Sequence, residues 1–371
     1  WSYMVMVVRY LEDGTPDHSF GTNGHVFVEP IAYEKYGHVA VDLQDDGKII
    51  TSVAMLNLVD QGFVMFRFNA NVTLDDSFGT NGKVKTDFGF VNGASAMALK
   101  CQDDGKIVVA GGNSITGITA RYLTDGTLDT GFGDNGITLE DHFHWRSVLI
   151  QPDGKMVVGG SAIDTLIWYV NFALARYNED GSLDASFGAD GRVMTGLPQN
   201  NIYGNCLITR EDEKFILAGS SYGGGSVTVN DDFDVVLAGY HSDGSLDNSF
   251  ATDGIAVLDA GSAADVANSV AAGSNDRLFL GGYVHVNSNM NRNVVMGLNA
   301  GGAFDTTFSS NGISTIQESS VDFASTFTSV NDLQMLAAGS ADGTLSMVKY
   351  NNVEELDYLY GRNGIVKTKI K

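Results

Sequence analysis

The sequence predicts an all-β chain folded as a β-propeller of four-stranded antiparallel blades, seven-bladed with six blades complete in this chain. Three observations carry this. A twelve-residue motif, clearest as DGSLDASFGADG at 180–191, recurs seven times along the chain. Its aromatic falls at Phe20, Phe78, Phe132, Phe187, Phe250, Phe308 and Tyr360, 52 to 63 residues apart. A second motif sits about midway between the copies, as QDDGKII (44–50), QDDGKIV (102–108) and QPDGKMV (151–157). Weaker forms follow as REDEKFI (210–216), GSNDRLFL (273–280) and SVNDLQML (329–336). Finally, 45 Gly and 4 Pro among 371 residues, with Val, Ile, Phe and Tyr spread evenly, suit short strands joined by tight turns. A repeat of this length marks one supersecondary unit stacked on its neighbours, so residues 1–371 read as a single domain.

The copy near Trp145 gives the elements in order. Residues 145–151 read as a first strand, and Asp153-Gly154 as a tight turn. Residues 155–161 form the second strand and 169–177 the third, with alternating character. The motif then reverses the chain, and 191–195 form the fourth strand. Four antiparallel strands per repeat make one propeller blade. Blades begin near residues 37, 94, 144, 203, 267 and 325, and residues 1–29 supply only the outer strands of another. A six-bladed ring with an appended hairpin is the alternative. Small residues after each second strand (Gly111-Gly112, Gly159-Gly160, Ala218-Gly219, Gly281-Gly282, Ala338-Gly339) suggest close approach of neighbouring sheets.

The pattern QxDGKIVVxG followed by RYxxDGSLDxSFGxxG resembles the bacterial delta-60 repeat, a propeller-forming repeat of large surface and secreted proteins. The match loosens after about residue 200, where Glu213 and Leu333 replace the turn Gly and Tyr360 replaces the Phe. The resemblance implies the fold and an extracellular, cell-surface or periplasmic location in bacteria, and it implies no catalytic residues. The chain opens at Trp1 inside a repeat, which a cleaved secretion signal would accommodate.

The net charge of −23 argues against nucleic acid, whose phosphates recruit Lys and Arg, and against anionic membrane surfaces. No apolar run is long enough to insert in a membrane as a helix. Cys101 and Cys206 fall in different repeats at different positions and read as two buried thiols.

Residues that recur in every blade read as scaffold. Asp-Gly supplies turns with positive φ. Asp184 and its equivalents, among them Asp75, Asp129 and Asp247, are placed to accept backbone N–H groups as Asx-turns do. The repeated Phe plugs the space between blades, and Arg9, Arg67, Arg121, Arg176 and Lys349 end the third strand, in reach of an acidic turn. No cofactor is expected. Structural calcium is the alternative for these loops, since Asn178, Asp180, Ser182 and Asp184 alternate, but the Gly is displaced from calcium-loop spacing.

The turns between strands one and two and between strands three and four carry the motifs and share one face. The other connections diverge, and they include LEDHFHW (139–145), DTLIWY (164–169) and SYGGGSVTVNDD (221–232). Binding on a rigid scaffold concentrates in such loops. The candidate contact residues are therefore Tyr33, Tyr36, Phe90, His142, Phe143, His144, Trp145, Trp168, Tyr169, Tyr203 and Tyr222. His142 and His144 would face the same way in an extended chain, with Asp141 as a third ligand for a metal, which is a weak signal. The chain has no G-x-S-x-G, P-loop, H-E-x-x-H or C-x-x-C motif, so it is not expected to be an enzyme. The expected function is an interaction or structural module that docks a protein partner or assembly subunit through the variable face. A glycan-binding propeller using Trp145 and Trp168 as stacking platforms is the alternative. A hydrolase or lyase with its site at the channel mouth is the third.

Overall fold

A computed structural model describes residues 5–28, 36–55, 62–90, 93–210, 213–223, 233–260, 265–287, 290–309, 311–315, 324–331, 334–341, 344–350, 357–362 and 365–369. Its strands form seven sheets of a β-propeller. One is a hairpin of β1 (Val5–Val8) and β2 (His25–Val28). The other six are four-stranded, antiparallel and in sequence order. The first complete blade holds β3 (Tyr36–Leu43), β4 (Ile49–Met55), β5 (Phe63–Phe68) and β6 (Lys83–Thr86). The second holds β7 (Ser95–Cys101), β8 (Ile107–Gly112), β9 (Thr116–Tyr122) and β10 (Ile137–Asp141). The third holds β11 (Phe143–Ile150), β12 (Met156–Ile163), β13 (Val170–Tyr177) and β14 (Arg192–Thr195). The fourth holds β15 (Asn200–Thr209), β16 (Phe215–Gly223), β17 (Val235–Tyr240) and β18 (Ile255–Leu258). The fifth holds β19 (Asp265–Ala272), β20 (Leu278–Asn287), β21 (Met290–Leu298) and β22 (Ile313–Thr315). The sixth holds β23 (Ala324–Asn331), β24 (Gln334–Ala341), β25 (Thr344–Tyr350) and β26 (Ile365–Lys369). The Cα atoms group into two compact units, one of residues 1–11, 16–162 and 174–192, the other of 12–15, 163–173 and 193–371.

β5, β9 and β17 are buried along their whole length. In β5 alternate residues divide between two cores: Phe63 and Met65 pack with the second blade, Val64, Phe66 and Phe68 with the β1–β2 hairpin. A strand sandwiched on both faces alternates in direction without alternating in polarity.

The repeated motif ties successive blades together within each unit. Asp184 Oδ1 accepts bonds from Ser186 N at 3.0 Å and Ser186 Oγ at 2.6 Å. Its Oδ2 meets Arg176 Nε at 2.8 Å and Lys155 Nζ at 3.0 Å. Arg176 also lies over the Phe187 ring, 4.6 Å from the centroid. Arg67 with Asp75 and Arg121 with Asp129 repeat this geometry, each at 2.8 Å. Gly79 N donates to Asp125 O at 2.8 Å, and Gly133 N to Asp180 O at 2.7 Å, tying one motif to its successor. Gly126, at φ +87°, leaves room for Phe78 of the preceding blade, which a Cβ would meet at 2.9 Å. The last motif is tied to the first in the same way, Gly361 N donating to Asp13 O at 2.9 Å. Phe20, Phe78, Phe132, Phe187, Phe250 and Phe308 are all buried.

Among the small residues after the second strands are glycines that the blade's own backbone requires. Four of the first strands carry a bulge opposite a glycine, at Met97 in β7, Arg146 in β11, Asn205 in β15 and Asn268 in β19. A Cβ on that glycine would collide with the blade's own backbone. Gly160 would meet His144 O at 1.9 Å, and Gly219 would meet Tyr203 O at 1.8 Å. These glycines therefore accommodate the bulge.

Candidate functional site

One of the divergent connections exposes three consecutive apolar side chains. The β12–β13 connection places Leu166, Ile167 and Trp168 at 89%, 58% and 75% exposure. Short-range bonds hold it: Leu166 N donates to Asp164 Oδ1 at 2.8 Å. Asp164 N donates to Tyr169 O at 2.9 Å and Trp168 N to Asp164 O at 2.7 Å. Trp168 sits at φ +59°, a left-handed conformation that bulky residues rarely adopt. Its neighbour Val170 N is held by Asn201 Oδ1 at 2.8 Å.

The other expected contact aromatics are distributed differently. Trp145 is 1% exposed, so it is core and no stacking platform. Its ring centroid lies 5.1 Å from that of Phe143, also buried, and its indole occupies the space left by the absent side chain of Gly117. Phe90 packs against the core of the second blade. Tyr169 and Tyr222 are half-buried, the latter 4.9 Å from Phe233 between ring centroids. Tyr203 is exposed. Tyr33 and residues 224–232 lie outside the described residues, and Tyr36 is described in its backbone alone.

The Asp141–His142–His144 metal site does not form. His142 is at φ +70° in a turn, so the alternation that would align it with His144 is broken. One group of three carboxylates converges elsewhere among the described residues: Asp234, Asp259 and Asp265, with ligand atoms within 4.8 Å of one another. Asp265 is fully buried and accepts a bond from Ala260 N at 2.5 Å. In the motif loops, Asp180 Oδ1 and Asp184 Oδ1 each accept bonds from the backbone N–H and hydroxyl of Ser182 and Ser186. Cys101 and Cys206 are free and only partly buried, and burial raises the Cys101 thiol pKa to about 12.

Where β7, the β8–β9 connection and β11 meet, a cavity of about 330 Å³ opens on the side of the divergent connections. Ser95, Met97, Asn113, Ser114, His144 and Arg146 line it, with no Asp or Glu. Burial holds the His144 imidazole below its ordinary pKa despite its bond to the Asn113 carbonyl, so the ring is neutral at pH 7. The bulge at Arg146 is what turns this guanidinium out of the strand's alternation. Sequence reading selected His144 but missed Arg146, Leu166 and Ile167. The run LIW inside a polar connection was the available signal for the last two; Arg146 had none.

Residues 102–132 and 151–187 match a family described as domain of unknown function (DUF5122) beta-propeller. This supports a bacterial β-propeller repeat family without distinguishing the delta-60 repeat. No curated protein matches the sequence. Among solved structures, a protein of unknown function from Dyadobacter fermentans is 10% identical, with 99% of this chain and 98% of that one covered at TM-score 0.49. An α-L-arabinofuranosidase from Fusarium graminearum, in complex with an iminosugar inhibitor, is 9% identical over 92% of this chain and 95% of that one, at TM-score 0.50. Prolyl oligopeptidase B from Galerina marginata is 13% identical, covering 93% of this chain but 45% of that one, at TM-score 0.45. At these identities the likeness is one of fold. It nevertheless corrects the expectation that the chain is not an enzyme. That expectation rested on missing linear motifs, and a glycosidase shares this fold. Propellers assemble sites from side chains far apart in sequence, so absent motifs carry no weight.

Proposed function

We propose that this chain is a delta-60-type propeller of the bacterial exterior that docks a protein partner through the face carrying its divergent connections. The observation that carries the reading is the Leu166–Ile167–Trp168 tip. Three consecutive large apolar side chains held in water by a braced turn are costly unless covered, and such clusters mark contact surfaces. The left-handed Trp168 adds backbone strain that burial of its ring at an interface would offset. Leu166 and Ile167 offer apolar area rather than a ring face, which favours a protein over a sugar. The acidic surface suits a soluble exterior domain.

A photo-crosslinking residue at position 167, in the native host, tests this. One defined protein adduct, abolished by L166S/W168S, is the expected result. No adduct, together with hits on a glycan array that W168S removes, would replace the partner protein with a sugar. Both substituted side chains are exposed, so the thermal midpoint should stay within about a degree of the parent, because surface changes of this kind move stability by roughly 0.5 kcal/mol or less.

A further inference from the structure

We propose that the cavity between β7, the β8–β9 connection and β11 binds a small organic carboxylate, about the size of one sugar acid or amino acid, through the Arg146 guanidinium. The arginines of this chain supply the first argument. Arg9, Arg67, Arg121, Arg176, Arg192, Arg210 and Arg277 each place a guanidinium nitrogen 2.6 to 3.2 Å from an Asp or Glu oxygen. Arg146, like Arg292 and Arg362, has no acidic partner among the described residues, in a chain with 45 acidic and 22 basic side chains, and Arg146 lines a cavity.

The cavity explains why. Larger cavities of about 550 and 880 Å³ lie among the Asp-Gly turns and are lined by Asp45, Asp46, Asp103, Asp104 and Asp125, or by Asp42, Asp103, Asp104, Asp153 and Glu179. The described residues that line the Arg146 cavity include no carboxylate. Its volume of about 330 Å³ stands at the low end of the roughly 300–1,000 Å³ of small-molecule sites.

The bulge argues the same way. Asn205, at the equivalent bulge of β15, spends its side-chain amide on the Ala267 carbonyl at 2.8 Å and so joins two blades. Arg146 makes no such bond to the described residues and remains exposed. Protein crowding around it lowers its pKa, with no anion to compensate. Arginine stays charged all the same, so the site presents a partly desolvated cation with its fork open. A planar carboxylate matches that fork with two parallel hydrogen bonds. The Ser95 and Ser114 hydroxyls add donors, and the neutral His144 adds no second charge. One positive charge in a small cavity selects a monoanion.

Isothermal titration of the full chain with glucuronate, glutamate and acetate, and with inorganic phosphate as control, tests the assignment. At least one organic carboxylate should bind at a single site. R146Q should weaken it by roughly 10- to 100-fold, the usual range for a lost charge-assisted bond. R146K keeps the charge but not the fork, and should fall between. M97E introduces an acid into the lining and should abolish binding while Arg146 stays in place. L166S/W168S should leave binding unchanged, so this site and the protein-docking surface fail separately. Absence of any carboxylate binding at millimolar concentration overturns the proposal. So does binding indifferent to R146Q, and so does phosphate binding as tightly as every carboxylate.

Discussion

At the scale of single residues, the motif aspartate is the most heavily engaged side chain in the molecule. Asp184 is 6% exposed and joins a serine, a lysine and an arginine from three segments. Asp184→Asn keeps the shape and the Ser186 bonds but leaves Arg176 and Lys155 facing a neutral amide. Removing one partner of a buried pair costs about 3 kcal/mol. Urea denaturation should show that loss with an unchanged slope. The same contacts set the acid limit. Burial pushes Asp247 up, but the Ser249 and Lys214 bonds outweigh it and bring its pKa down to about 2. Asp75 and Asp184 are lowered in the same manner, against their burial. In Asp305 the Thr307 bond leads and Arg277 adds to it. Each carboxyl is more acidic folded than unfolded, so each stabilises the fold fully above about pH 4. That stabilisation drains as pH falls through about 2. Thermal midpoints measured between pH 5 and pH 2 should therefore drop steeply below about pH 4. A flat profile would mean the motif aspartates are not paired in solution.

At the scale of elements, the blades solve one problem with different residues. The first three complete blades end their third strand in Arg67, Arg121 and Arg176. The next two have Gly239 and Gly297 there, whose Cβ positions would run into Phe250 and Phe308. The missing charge returns from the turn before the second strand. Lys214 reaches Asp247 at 3.1 Å, Arg277 reaches Asp305 at 2.6 Å, and Arg210 lies over the Phe250 ring. In the first complete blade, by contrast, Lys48 stands 4.0 Å from Asp75, which Arg67 already holds at 2.8 Å. Lys214→Ala should then cost about 1.5 kcal/mol and Lys48→Ala less than about 0.5 kcal/mol. Chemical denaturation of the two variants side by side checks the difference; equal losses would remove the compensation argument. The seven-copy repeat was legible at this scale because turn chemistry is local: an Asp-Gly pair needs only its own backbone to bend. The replacement of Arg by a cation from another turn was not, since nothing in the linear order says which turn faces Asp247.

For the molecule as a whole, charge is the dominant global property. A net −23 means that residual repulsion among acidic side chains opposes the compact state. Raising salt from about 0.01 to 0.15 M shortens the screening length from roughly 30 to 8 Å, which relieves that repulsion while sparing the buried pairs. Differential scanning calorimetry should find the thermal midpoint rising by a few degrees across that range. A falling midpoint would mean that exposed ion pairs, rather than net repulsion, dominate.

Sequence alone determined the blade, its four strands and the face that its motifs occupy, because those follow from turn residues and period-two patterning within each repeat. Tertiary structure decided which side chains remain outside. Trp145 and Trp168 look alike as loop-flanking tryptophans, yet one fills the space over Gly117 and the other stands 75% exposed. The same holds for arginine: ten occur in the sequence, and only the packing of blades shows that Arg146 faces a cavity without an acid. Burial and pairing depend on which strand lies alongside, and that is a property of the stacked blades rather than of any one repeat.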